Sequence, residues 1–303
     1  HVRKMLDRFP VEILETIISI SNIVSISLLR MTGNLLLLRK MKKCRVFLQL
    51  DVTMDDGLWL APIFSFFPNT TRAFLWDPCQ KVVERLSSTI SELEVYCRYK
   101  DTIDSKLFAS ILPRSLTKLK IGLEFSAECG RNLPRSLQSL SVYGKFKPTT
   151  ESFCAFVAEL GDLSHFEVVL GTYRTISFTK ECALALPSSL ASLSIDIPER
   201  IDPDFFSNLK SGIRHFIFGG IDRTSCPPIE SLPPSVTHLT LDLPIGSEMF
   251  SNSTIPYTVK YLSLNRTMHI PQGVSESLFR HLEKFDVKGK SIINDVRELA
   301  PKK

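Results

Sequence analysis

No Cys-x-x-Cys pair occurs in this chain, and its seven cysteines (Cys44, Cys79, Cys97, Cys129, Cys154, Cys182 and Cys226) are an odd number. That pattern argues against a disulfide framework and against a thiolate metal site, and predicts reduced thiols in a cytoplasmic or nuclear protein. Long apolar runs are also missing. The most apolar stretch, residues 11–29, is broken by Glu12, Glu15, Asn22 and several serines, which is too polar for a membrane span. No signal-peptide pattern is visible, so the three sequons at Asn69, Asn252 and Asn265 read as chance matches. Charge of one sign is scarce as well. Lys and Arg total 37 against 32 Asp and Glu, a net +5, and the basic residues are spread along the chain rather than clustered. Nothing there calls for a nucleic-acid partner.

Catalytic signatures are absent too. The chain has no G-x-S-x-G, no G-x-x-x-x-G-K-[ST], no H-E-x-x-H and no G-x-G-x-x-G. Asp55-Asp56 stand side by side, but no convergent partner accompanies them, and a solvated loop suffices. The expectation is a non-enzyme with no cofactor and no metal.

What the chain does have is a repeat. Leu232-Pro233-Pro234-Ser235-Val236-Thr237-His238-Leu239-Thr240-Leu241 has the form L-P-x-S-Φ-x-x-Φ-x-Φ, with Φ apolar. The form recurs from Leu112, Leu133 and Leu186, and more loosely from Ile255. Weaker copies without Leu-Pro place their first Φ at Leu163, Ile213 and Leu282. The first Φ therefore falls at 116, 137, 163, 190, 213, 236, 259 and 282, and the last four steps are each 23 residues. Upstream, Ile90 begins a further copy and Pro68–Trp76 a fainter one. Self-similarity at 20–30 residues is the mark of a stacked-repeat architecture.

The Φ-x-x-Φ-x-Φ tail has a reading in strand geometry. Side chains alternate faces along a strand, so its last two Φ turn inward together. Proline lacks a backbone donor and belongs in the turn before the strand. Between strands, Phe153, Phe156, Val157 and Leu160 follow helical spacing. Asp202-Pro203-Asp204 reads as a helix cap, a first-turn proline and a first-turn acid ahead of Phe205, Phe206 and Leu209. One strand and one helix cannot bury a core alone, so the units must stack. The expectation is a curved parallel sheet over residues 70–290, with Leu119/Ile121, Leu140/Val142, Leu193/Ile195, Leu239/Leu241 and Leu262/Leu264 buried. Val46–Val52 reads as a strand ahead of it.

The outward strand positions are then the place for binding. Tyr96, Tyr143, His215, His238 and Tyr261 stand out there as candidate partner-binding residues, since aromatic rings among small hydroxyl residues suit a protein contact. His165, His215 and His238 share one repeat position. Only His215 and His238 fall on adjacent strands, which argues for an ordinary surface column and against a metal site.

These repeats resemble leucine-rich repeats in a Leu-Pro-x-Ser-Leu variant. The resemblance implies an α/β solenoid over residues 44–303, a curved parallel sheet with helices on its convex side. Residues 1–43 do not follow the repeat. Phe9-Pro10-Val11-Glu12-Ile13-Leu14-Glu15-Thr16-Ile17-Ile18 puts a proline at a helix start, acids near its positive end, and Ile13, Leu14, Ile17 and Ile18 on one face. This small helical module resembles an F-box, with Phe9 at the family's opening Leu and Asn22-Ile23 at its Asp-Leu. Leu29-Arg30-Met31 stands where many members carry Val-Cys, and no tryptophan follows. The resemblance implies docking onto a Skp-type adaptor through Phe9, Pro10, Ile13, Leu14 and Ile17. It implies a substrate-recruiting receptor of a cullin-type ubiquitin ligase, monomeric outside its complex, holding an unknown protein substrate on the concave face. The alternative is a stand-alone repeat scaffold whose first helices only cap the solenoid.

Overall fold

The computed structural model describes residues 47–51, 70–76, 80–84, 86–96, 105–122, 126–143, 149–169, 176–196, 200–219, 229–242, 255–265 and 281–288. The candidate helical module, with Phe9, Pro10, Ile13, Leu14 and Ile17, lies outside them. The chain forms two compact units. One takes the chain up to Gly122 together with Asn132–Leu137, and the other takes Leu123–Arg131 and Gln138 onward.

Each repeat is built from a turn, a strand and, in most copies, a helix. The turn comes first. In the five copies whose proline lies among the described residues, the proline carbonyl accepts from the amide three residues on. The N···O distances are 3.2 Å for Leu116 and Leu137, 3.3 Å for Leu190, 3.0 Å for Val236 and 2.9 Å for Val259. The proline acts there as an acceptor, which costs nothing for its missing N–H.

The serine that follows explains its own recurrence. Ser115 Oγ donates to the Ile90 carbonyl at 2.7 Å, Ser136 Oγ to that of Leu116 at 2.6 Å, and Ser189 Oγ to that of Leu163 at 2.8 Å. Each acceptor is the first Φ of the preceding copy. Ser235 Oγ and Thr258 Oγ1 occupy the same position, buried, but have no hydrogen-bond partner.

One residue beyond the first Φ, a backbone carbonyl accepts two amides from the next copy. Ser91 O takes Thr117 and Lys118, Ser164 O takes Ala191 and Ser192, and Arg214 O takes Thr237 and His238, all within 3.0 Å. Regular parallel ladders follow. In the first unit β1 (Phe47–Asp51), β2 (Arg72–Trp76), β3 (Glu92–Tyr96) and β4 (Lys118–Ile121) pair in chain order. The helices Gln80–Glu84 (α1) and Ser105–Ile111 (α2) follow β2 and β3, and Ala127–Asn132 (α3) follows β4 in the chain.

The second unit carries β5 (Ser139–Tyr143), β6 (His165–Val169), β8 (Ser192–Asp196) and β10 (His215–Gly219), then β11 (His238–Asp242), β12 (Tyr261–Asn265) and β13 (Lys284–Lys288). These are likewise parallel and in chain order. Two-residue strands β7 (Ser177–Phe178) and β9 (Arg200–Ile201) form a separate small sheet. The fold is thus α/β, a solenoid-like stack of parallel strands and short helices.

Strand side chains alternate as the repeat predicts. Leu119 and Ile121, Leu140 and Val142, Leu193 and Ile195, Leu239 and Leu241, and Leu262 and Leu264 are all buried. In the second unit the helices add phenylalanines. Thr149 caps α4 (Thr150–Ala158), accepting from the Ser152 amide while Ser152 Oγ accepts from the Thr149 amide. That anchors Phe153, Phe156 and Val157 facing the core. Asp202 caps α6 (Pro203–Ser207) through the Asp204 amide at 3.0 Å. Phe153 meets Phe178, Phe178 meets Phe205, and Phe206 meets both Phe216 and Phe218, edge to face at 5.2–6.0 Å. Each such side chain, fully buried, contributes about 1.5–3 kcal/mol by area. The small β7–β9 sheet carries Phe178 into the gap between Phe153 and Phe205.

Candidate interaction face

The outward strand positions form one face on each unit. On the first, charges alternate from strand to strand at the start of the ladder. Arg72 Nε stands 2.8 Å and Lys118 Nζ 3.1 Å from the Glu92 carboxylate, and Lys120 Nζ stands 2.8 Å from Glu94. These pairs are solvated and each is worth about 0–1 kcal/mol. Three cations face two carboxylates, so the charges of neighbouring strands largely offset one another. Tyr96, at the far end of β3, packs on Phe74 at 5.4 Å and lies under Lys120 Nζ at 5.6 Å.

On the second unit the register runs His165–Ser192–His215–His238–Tyr261–Lys284 across six strands. Consecutive copies on β10, β11 and β12 bring three rings together. His215 and His238 stack with centroids 4.2 Å apart and 26° between planes, and His238 and Tyr261 stack at 4.2 Å and 12°. Neighbouring strands lie about 4.8 Å apart, so rings at equal register stack with little adjustment. Thr237 Oγ1 lies 2.9 Å from His238 Nδ1, and Tyr261 donates its hydroxyl to Glu283 at 3.1 Å. Burial, then the neighbouring His215, hold the His238 imidazole below its ordinary pKa against the pull of Glu283. The Tyr261 phenol is raised, chiefly by donating to Glu283. The centre of the ladder is therefore biased toward neutral imidazole near pH 7.

Ile217 adds apolar surface beside the ladder. Ile217, two residues along β10, is 39% exposed, and Tyr257, in the turn before β12, is 79% exposed. At the far end of β10 sits Gly219, between Asp196 and Asp242 on the flanking strands. A Cβ there would lie 2.7 Å from Asp196 Oδ1, so the glycine makes room for that carboxylate.

Three of the five sequence-predicted contact residues, His215, His238 and Tyr261, thus form one site. Tyr143 lies on β5, separated from that site by β6 and β8, and Tyr96 belongs to the first unit. His165 is parted from His215 by Ser192 and bonds through Nδ1 to Ser164 Oγ at 2.7 Å. Sequence reasoning missed Glu283 and the Gly219 position as parts of this surface. The first Φ of each copy, which sets the ladder's register, could have flagged Glu283, one residue before β13. Among the described residues no group of three or more His, Cys, Asp or Glu is arranged to hold a metal ion. Also among them, no helix is long and apolar enough to cross a membrane.

No protein-family model matches the chain, and no curated protein matches it.

Proposed function

We propose that the chain is a non-enzymatic recognition protein that holds a protein partner on the strand face of its second unit. The His215–His238–Tyr261 ladder carries this reading. It sets three rings, with Ile217 beside them, on a rigid ladder of backbone bonds, so few rotamers are lost on binding. Rings with an apolar body and a polar edge are the side chains that concentrate binding energy at protein interfaces.

In this proposal the repeats are leucine-rich repeats and residues 1–43 are an F-box-like module that docks a Skp-type adaptor through Phe9, Pro10, Ile13, Leu14 and Ile17. The chain then serves as a substrate receptor of a cullin-type ubiquitin ligase, and the ligase chemistry lies in other subunits. The resemblance of Phe9–Ile18 to an F-box supports that part, and the exposed ring ladder supports the substrate face.

Two pull-downs test the two parts. The full chain is expected to be retained by immobilised adaptor, and Ile13→Asp combined with Leu14→Asp is expected to lose retention with an unchanged circular-dichroism spectrum. If the wild type is not retained, the ubiquitin-ligase reading fails and the stand-alone scaffold stands. Separately, the triple change His215→Ala, His238→Ala, Tyr261→Ala should weaken a partner found by proximity labelling by about 2 kcal/mol or more, roughly 30-fold. Undiminished binding would remove the strand face from the argument.

A further inference from the structure

Cys154 lies on α4 and Cys182 on α5 (Lys180–Ala185), the helices of consecutive copies. Both are free thiols, and their sulfurs are 2.6 Å apart. That is only about half an ångström beyond a covalent S–S bond of about 2.05 Å, and well inside the approach of two unbonded sulfurs. Cys182 is buried and Cys154 is partly open to solvent. The hydroxyl of Thr179 faces Cys182 Sγ at 3.7 Å. The Cys154 thiol, donating to Cys182, brings the Cys182 pKa down to about 7 against the opposing effect of burial, with further help from Thr179. The same donation, with burial, pushes Cys154 up. The pair thus carries one labile proton between two sulfurs, one of which solvent can reach.

We propose that Cys154 and Cys182 are a reversible disulfide site that ties α4 to α5 when the chain meets a low-molecular-weight disulfide such as glutathione disulfide. The shared proton shifts from Cys154 to Cys182, and the Cys154 thiolate attacks one sulfur of glutathione disulfide. A protein–glutathione bond forms, and one glutathione thiolate leaves and takes the proton from Cys182. The Cys182 thiolate then attacks the Cys154 sulfur, the protein disulfide forms, and the second glutathione leaves as a thiolate that regains from solvent the proton the pair released on ionising. Two protein thiols are oxidised by two electrons, and one glutathione disulfide is reduced to two glutathiones. Cys154 is the entry point because it meets solvent, and Cys182 resolves the mixed disulfide because it is already in place.

The closed loop contains β6, which pairs with both β5 and β8, so the bond staples the start of the second unit's ladder. The proposal is independent of the partner-binding reading and survives its failure.

The test uses the full chain equilibrated across glutathione redox ratios, trapped with a thiol-alkylating reagent and mapped by mass spectrometry without reduction. The expected product is a chain two hydrogens lighter, with the Cys154 peptide linked to the Cys182 peptide and the other five cysteines alkylated. Its Tm should rise by about 5–10 °C over the reduced chain. Cys154→Ser should show the reduced wild-type Tm and no rise on oxidation. Glutathione persisting on Cys154, a link to any other cysteine, no link at the most oxidising ratio, or a link with no change in Tm would each overturn the proposal. Peptide mapping of the wild type decides the matter without any variant.

Discussion

Replacing Ser189 with alanine and, in a second protein, Ser235 with alanine makes one chemical change at one repeat position in a single unit. The outcomes should differ in sign. Ser189 Oγ gives up a 2.8 Å bond to the Leu163 carbonyl. Ser189 is exposed and its bond only partly buried, so the loss is set near a net hydrogen bond, about 0.5–1.5 kcal/mol. Ser235 Oγ is buried with no partner, so its removal deletes a desolvated hydroxyl and breaks nothing. Burial of an unbonded hydroxyl costs about 1–3 kcal/mol in proteins, and part of that is recovered. The two variants should therefore lie about 1.5–2 kcal/mol apart, with Ser235→Ala at or above wild-type stability. With a urea m-value of about 3 kcal/mol/M, the midpoints separate by about 0.5–0.7 M. Urea unfolding followed by circular dichroism and by tryptophan fluorescence reads this, and coincident curves license the comparison. If Ser235→Ala falls as far as Ser189→Ala, the hydroxyl's value does not come from the preceding carbonyl and the account of the serine is wrong.

Leu239→Ala removes a side chain 1% exposed on the inward face of β11 and should cost about 2–5 kcal/mol in the same urea assay. His238 titrates below its ordinary value in the folded chain, so the unfolded state binds the proton more readily. Its contribution to stability is therefore complete above the unfolded pKa of about 6.5 and is lost as pH falls through and below it. Tm should drop from pH 7.5 to 5, and His238→Gln should flatten part of that slope. An imidazole NMR titration placing His238 at or above the unfolded value would refute the assignment.

Most of the strand framework is legible in the sequence because it rests on a period. Leu163, Ile213 and Leu282 lack Leu-Pro, yet their copies form β6, β10 and β13, since the alternation of buried and outward residues survives without the turn signal. The Asp202 cap is legible for the same local reason. What escapes is whatever depends on which copy lies beside which. The β7 and β9 strands are two residues long, too short for any alternation to show. Cys154 and Cys182 are 28 residues apart and read as unrelated thiols until the helices of successive copies are placed side by side. The site is legible in part: His215, His238 and Tyr261 are 23 residues apart in turn, which announces one column. That their rings stack face to face, and that Glu283 holds the end of the stack, depends on rotamers, which the period does not specify.

The paired-amide carbonyls bear on how such a chain can change length. Thr71, Ser91, Gln138, Ser164, Ala191, Arg214, Thr237 and Lys260 each accept two amides from the copy that follows, so each of these joins is templated through backbone atoms, reinforced in several copies by Ser or Thr hydroxyls. A whole copy could be duplicated or excised with the neighbours re-joining in unbroken register, whereas a one-residue slip would turn every inward leucine outward. Closing each new join spans one copy however many precede it, so the entropic toll of ring closure does not grow with the array. Natural variation in copy number should thus be tolerated far better than single-residue insertions within a strand.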